Sequence, residues 1–186
     1  MGITQILTAF GLSASAGLNA YIPLLIIALL ARFTNVITLT APYDLLSNEW
    51  VIGALVVLLA IETLADKIPG VDHINDFIQT FIRPTAGAIL FAANTNVLRD
   101  VNPVIPLVAG LLIAGSVHAT KATARPLVNV ATLGIGAPVV STIEDVIALG
   151  TSLLAVFAPI AMLLVLVLLL FAAYKLFSRR RARAAT

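Results

Sequence analysis

The sequence predicts an all-α membrane protein of about six transmembrane helices, with an amphipathic connector helix between the second and third. Three observations predict it. The chain is 60% hydrophobic and 11% charged, with a mean hydropathy of +1.07, outside the range of soluble globular domains. Residues 153–174, "LLAVFAPIAMLLVLVLLLFAAY", hold no charge over a length that crosses about 30 Å of hydrocarbon as a helix. Most of the remaining chain divides into further apolar runs separated by short polar segments.

Taken in order, residues 3–31 lack a basic leader and stay apolar beyond signal-peptide length, so they read as a retained span. Further spans are predicted at residues 50–66, 84–98, 104–124, 128–148 and 153–177. Six passes place both termini on one side. With the tail inside, Lys67, Arg83, Lys121, Arg125, Lys175, Arg179, Arg180, Arg181 and Arg183 fall on or toward the cytoplasm, leaving Arg32 and Arg99 outside. That imbalance predicts cytoplasmic N and C termini.

The chain reads as one membrane domain, residues 1–186, ending in a basic tail at residues 179–186. Two halves, residues 1–100 and 104–178, read as inverted three-helix repeats. "SAGLNAYIPLL" from Ser15 is similar to "SVHATKATARPLV" from Ser116, and each is followed by a segment ending in an acid, Glu62 or Glu144. Glycines and prolines interrupt the spans, with Gly11, Gly17, Asn19 and Pro23 in the first and Gly134, Gly136 and Pro138 in the fifth. Small residues allow close helix packing, and Asn19 with Pro23 suits a cavity wall.

Charge concentrates in "ETLADKIPGVDHINDFIQTFIRP", residues 62–84. Pro69 and Gly70 force a turn. After it Val71, Ile74, Phe77, Ile78 and Phe81 recur at helical spacing, with Asp72, Asn75, Asp76 and Gln79 on the other side, as expected of a connector lying at the interface or folded back into the protein. Glu62 is different. Counted from Trp50 it lies about 18 Å along its helix, at a depth where an unpaired charge costs roughly 2.5–3.5 kcal/mol.

The expected partners of Glu62 and Asp66 are His118, Lys121 and Arg125, which share one face of the fourth span. His118 is deep if that span continues to Pro126 and peripheral if it ends near Gly115. A polar site of Asn19, Glu62, Asp66, His118, Lys121, Arg125 and Glu144 would serve transport, with the bases holding an anion and an acid carrying a coupling proton or cation. The same acids, Glu62, Asp66, Asp72 and Asp76, are the candidates for a hard-metal site. The alternative to both is an ion-pair lattice that only holds the spans together.

Composition excludes other classes. Cysteine is absent and only two histidines are present, which removes disulfides and the usual zinc sites. Setting the four tail arginines aside leaves seven bases against nine acids, so the body is slightly acidic and no nucleic-acid partner is predicted. A membrane-embedded, metal-dependent lipid-phosphate enzyme stays open as the minor alternative, although an alcohol phosphotransferase that uses CDP-lipids would need a longer aspartate signature than "DKIPGVDHIND". An acid-phosphatase type would need a Ser-Gly-His element that the chain lacks. Nucleophile elbow and phosphate loop are missing too, so no enzyme and no cofactor are predicted.

At "SASAGLNAYIPLL", "ETLADKIPGVDH" and "RPTAGAIL" the chain resembles a family of small bacterial and plastid-type multi-pass membrane proteins catalogued only as a domain of unknown function. The resemblance covers nearly the whole chain and implies a multi-pass helical fold with no established activity. Ile74 stands where the family is associated with an aromatic. The resulting expectation is a bacterial inner (plasma) membrane transporter or channel-like protein, self-associating in the lipid bilayer and moving a small ion or anionic solute. The alternative is a non-transporting subunit or lipid-binding scaffold of a larger complex.

Overall fold

The computed structural model describes residues 2–66, 71–95, 102–132, 136–164, 167, 168 and 175, without the side chains of residues 71–73, 125–131 and 137. The described residues are helical with no strand: α1 Gly2–Leu18, α2 Tyr21–Phe33, a 3-10 turn at Tyr43–Ser47, α3 Glu49–Ala65, α4 Val71–Asn94, α5 Val104–Thr132 and α6 Gly136–Phe157. Residues 159–164 resume the helix after Ala158, where Pro159 supplies no backbone donor. Among the described residues two stretches, Val104–Ala124 and Pro138–Phe157, are long and apolar enough to cross a membrane.

The expected first span is a helical hairpin. The Asn19 backbone N–H closes α1 on Ser15 O at 3.1 Å, and its side-chain oxygen accepts from Tyr21 N at 3.0 Å and Ile22 N at 3.1 Å. One residue thus ends α1 and satisfies the donors that the start of α2 leaves open, and Pro23 falls where a helix needs no donor. α2 then runs back, because residues 36–38 share a cavity with Gln5 and Thr8 near the start of α1. The bundle therefore has an N-terminal end, near Gly2, and a second end at Asn19.

α1 is the central helix, packed on α4, α5 and α6. Ser13 Oγ donates to Gly87 O at 2.8 Å, tying it to α4. Against α6 it runs antiparallel, joined by Thr8 Oγ1 to Ala155 O at 2.7 Å, Ser15 Oγ to Ala148 O at 2.8 Å and Asn19 to Asp145. α4 and α5 touch backbone to backbone at Gly87 and Gly110; a methyl at Gly87 would strike Ala114 Cβ and lie 2.7 Å from Gly110 O.

Three further expectations change. The connector and the third span are one helix, α4, which continues through Pro84 because its buried polar face and its apolar packing outlast the loss of one backbone donor. α5 continues past Pro126 to Thr132, so His118 is deep. The loop expected at residues 149–152 is the interior of α6, where Ser152 is fully buried, and the break comes at Ala158 instead. The two segments whose likeness suggested a repeat also differ, since one breaks at Asn19 and Ala20 and the other is continuous helix.

Burial is inside out. Arg83, Gln79, Glu62 and Asn19 rank among the largest fully buried side chains, whereas Phe77 is 69% and Phe81 66% exposed. Val57, Ile61 and Leu64 of α3, Ile74 and Ile78 of α4, Leu112 of α5 and Val146 of α6 also face outward. The amphipathic stretch of α4 turns its polar side into the protein and its oily side out.

Candidate functional site

The buried polar groups gather around the Asn19 end, where α1 stops. Leu18 O, freed there by the end of the helix, accepts from Lys121 Nζ at 2.9 Å, a cation on the negative end of the α1 dipole. Lys121 also pairs with Glu144 Oε2 at 2.8 Å. Asn19 Nδ2 donates to Asp145 Oδ1 at 2.9 Å, so the residue that turns the chain also fixes a carboxylate of α6.

Deeper in, Arg83 Nη2 pairs with Glu62 Oε1 at 2.9 Å, both side chains being 1% exposed or less. Arg83 Nη1 lies 3.1 Å from His118 Nδ1, and His118 Nε2 lies 3.0 Å from Thr80 Oγ1. A guanidinium can only donate, so His118 accepts at Nδ1 and is the Nε2–H tautomer, donating to Thr80, whose hydroxyl donates to Asp76 O at 2.9 Å. Donation thus diverges from Arg83, to Glu62 on one side and through His118 and Thr80 to Asp76 O on the other. Glu62 Oε2, Arg83 Nε and Gln79 Oε1 are buried and make no hydrogen bond among the described residues. The Tyr21 side chain meets Gln79 beside them. Each unsatisfied group costs about 1–3 kcal/mol, a penalty that packing alone gives no reason to keep.

Asp66 links the two parts. Its Oδ1 accepts from Asn75 Nδ2 at 2.8 Å and its Oδ2 from Ser141 Oγ at 3.1 Å. It is close enough to Glu62 and to Asp145 for their charges to interact, and Lys121 likewise reaches both. The result is one network over α1, α3, α4, α5 and α6.

Of the residues expected from sequence, Asn19, Glu62, Asp66, His118, Lys121 and Glu144 all belong to this network, with different pairings. Glu62 pairs with Arg83, which itself contacts His118, and Lys121 pairs with Glu144. The side chain of Arg125 lies outside the described residues. The acids considered for a metal do not assemble: among the described residues no three of His, Cys, Asp and Glu come together to hold an ion, and Asp72 is outside the described side chains.

Sequence reasoning missed Arg83, Gln79, Asp145, Ser141 and Tyr21 as parts of the site. A signal existed for the first two: Asp72, Asp76, Gln79 and Arg83 form an unbroken polar stripe at helical spacing, which continues into an apolar segment where no solvent would meet it. Asp145 carried no separate signal beside Glu144.

The chain belongs to the family described as a domain of unknown function, DUF4126, which matches residues 6–179. No curated protein and no solved structure matches it.

Proposed function

We propose that this family member is a multi-pass membrane transporter or channel-like protein whose site at the Asn19 end handles a small cation or a proton. One observation carries the reading. Among the described side chains the network holds four carboxylates, Glu62, Asp66, Glu144 and Asp145, against two permanent cations, Arg83 and Lys121, and each cation already has a carboxylate partner. Such a set leaves little to attract an anion and much to attract a positive charge, so the anionic solute is the weaker substrate. Interrupted helices with freed carbonyls are the arrangement that holds coupling ions in other transporters, and intramembrane acids are expensive unless used.

The outward-facing apolar side chains support placement of α1 to α6 in a bilayer. With the Lys121 end toward the cytoplasm, as its bases favour, the hairpin puts Gly2 on the far side, in place of the cytoplasmic N terminus expected from six passes. No inverted repeat is needed for this reading.

The test is flux into proteoliposomes for protons, sodium, potassium and ammonium. Asp145→Asn keeps an acceptor for Asn19 and removes the charge; its flux should fall to background while the protein stays folded. Equal flux in wild type and Asp145→Asn, or none in either, would sink the proposal. A second reading, a scaffold or subunit with no transport, is favoured by the mating of Arg32, Arg83 and Lys121 to acids. Stoichiometric recovery of another membrane protein from mild detergent would support it.

A further inference from the structure

We propose a second binding site, at the opposite end of the bundle, for a small monovalent cation. A cavity of about 170 Å³ lies there between Gln5 and Thr8 of α1, residues 36–38 after α2, Ala93 and Asn94 at the end of α4, and Val156 of α6. It contains none of the charged groups described above.

The chemistry follows from which hydrogens are already used. The Thr8 hydroxyl donates to Ala155 O, and the Asn94 amide nitrogen donates to Leu90 O at 2.9 Å. The Thr8 hydroxyl hydrogen and one Asn94 amide hydrogen are thus spent inside the protein, and both side chains keep oxygen lone pairs to offer. Gln5 Oε1 is a third acceptor, buried and without a hydrogen-bond partner among the described residues. A neutral wall that holds an unpartnered buried acceptor suits a ligand that brings positive charge or N–H donors: sodium, potassium or ammonium. It suits anions poorly, since none of the lining side chains is positively charged. Divalent ions are disfavoured as well, because they ask for carboxylates to offset dehydration. The volume admits one such ion with part of its water shell.

The site would be the far-side station of the ion proposed for the Asn19 end, yet its existence does not require transport. The experiment is therefore equilibrium binding, by calorimetry and by thermal stabilisation in nanodiscs, of the chlorides of sodium, potassium, ammonium and choline to wild type, Gln5→Leu, Gln5→Glu and Asp145→Asn. Asp145→Asn disables the Asn19 end, so the cation that this variant still binds over choline reports on the cavity. Its binding should weaken by about tenfold or more in Gln5→Leu and tighten in Gln5→Glu, which adds a charge at the same place. Ammonium binding without sodium or potassium would identify a site that accepts N–H hydrogen bonds, and the reverse a metal-ion site. Equal affinity in all four proteins, or no binding in any, overturns the inference. Flux that survives Gln5→Leu with binding unchanged would also refute it and leave the transport reading standing; binding lost in Gln5→Leu with no flux in wild type would do the opposite.

Discussion

Among the described residues two acid–arginine pairs stand in opposite settings. At the N-terminal end Arg32 pairs with Glu49, their side chains 37% and 75% exposed, beside an outward-facing Trp50. Toward the other end Arg83 pairs with Glu62 in full burial. The chemical groups are the same. In the first, both charges keep their contact with the surroundings, and such pairs typically contribute about 0.2–1 kcal/mol. In the second, each ion has lost its hydration and depends on its partner, so the pair adds little net stability yet is costly to break. The comparison teaches that an ion pair's meaning is set by what replaces its water: the first is a local clasp between α2 and α3, and the second orients Glu62 and His118 about Arg83 inside the bundle.

The comparison breaks most sharply at Arg83. Arg83→Met leaves Glu62 buried and uncompensated, which should cost about 3–5 kcal/mol, whereas Arg83→Met with Glu62→Gln together should recover most of the loss. Thermal unfolding of the purified protein in one detergent reads both. If the single variant is as stable as wild type, the pair is not what holds α3 to α4.

A purely steric change near the same level is expected to be smaller. Gly87→Ala puts a methyl into the Gly110 backbone and Ala114, so α4 and α5 must separate, at about 1–3 kcal/mol. Unchanged stability would mean that the helices shift at no cost. Asn19→Ala removes the hydrogen bonds to Tyr21, Ile22 and Asp145, and by analogy with helix caps should cost roughly 0.5–2 kcal/mol. It should also weaken cation-dependent flux, because Asp145 loses its fixed position; a loss of stability with full flux would assign Asn19 to the turn alone. The smallest effect belongs to the exposed pair, where Glu49→Ala should change stability by less than about 1 kcal/mol, in a difference that 1 M salt erases. A larger or salt-independent effect would remove the contrast between the two pairs.

Much of this was readable along the chain. The start and end of α3 agree with the apolar run that opens at Trp50, since an uncovered helix can show its period only through its own residues. The amphipathic face of α4 was legible, but not which way it points. Periodicity gives the angle between polar and apolar faces and says nothing of whether water or protein lies on either side. Prolines misled in both directions. Pro84 and Pro126 sit within continuous helices, whereas the turn at Asn19 and Ala20, in a stretch whose Pro23 suggested only a loosened helix, is a full reversal. Each outcome depends on whether neighbours accept or supply the backbone groups concerned.

The sequence by itself determined that the protein is helical and oily, that charge is rare and concentrated in residues 62–84, and that Asn19, Glu62, Asp66, His118, Lys121 and Glu144 are the polar residues worth following. These are consequences of composition and spacing, which act on each residue through its immediate neighbours. Only the tertiary structure decided the partners: Arg83 for Glu62, Glu144 for Lys121, Asp145 for Asn19, and the cavity formed where Gln5 meets Asn94 and residues 36–38. Those pairings join residues up to 126 positions apart, as Asn19 and Asp145 are. They follow from α1 lying in the middle of the bundle and from α2 turning back, and no local period in the chain records either fact.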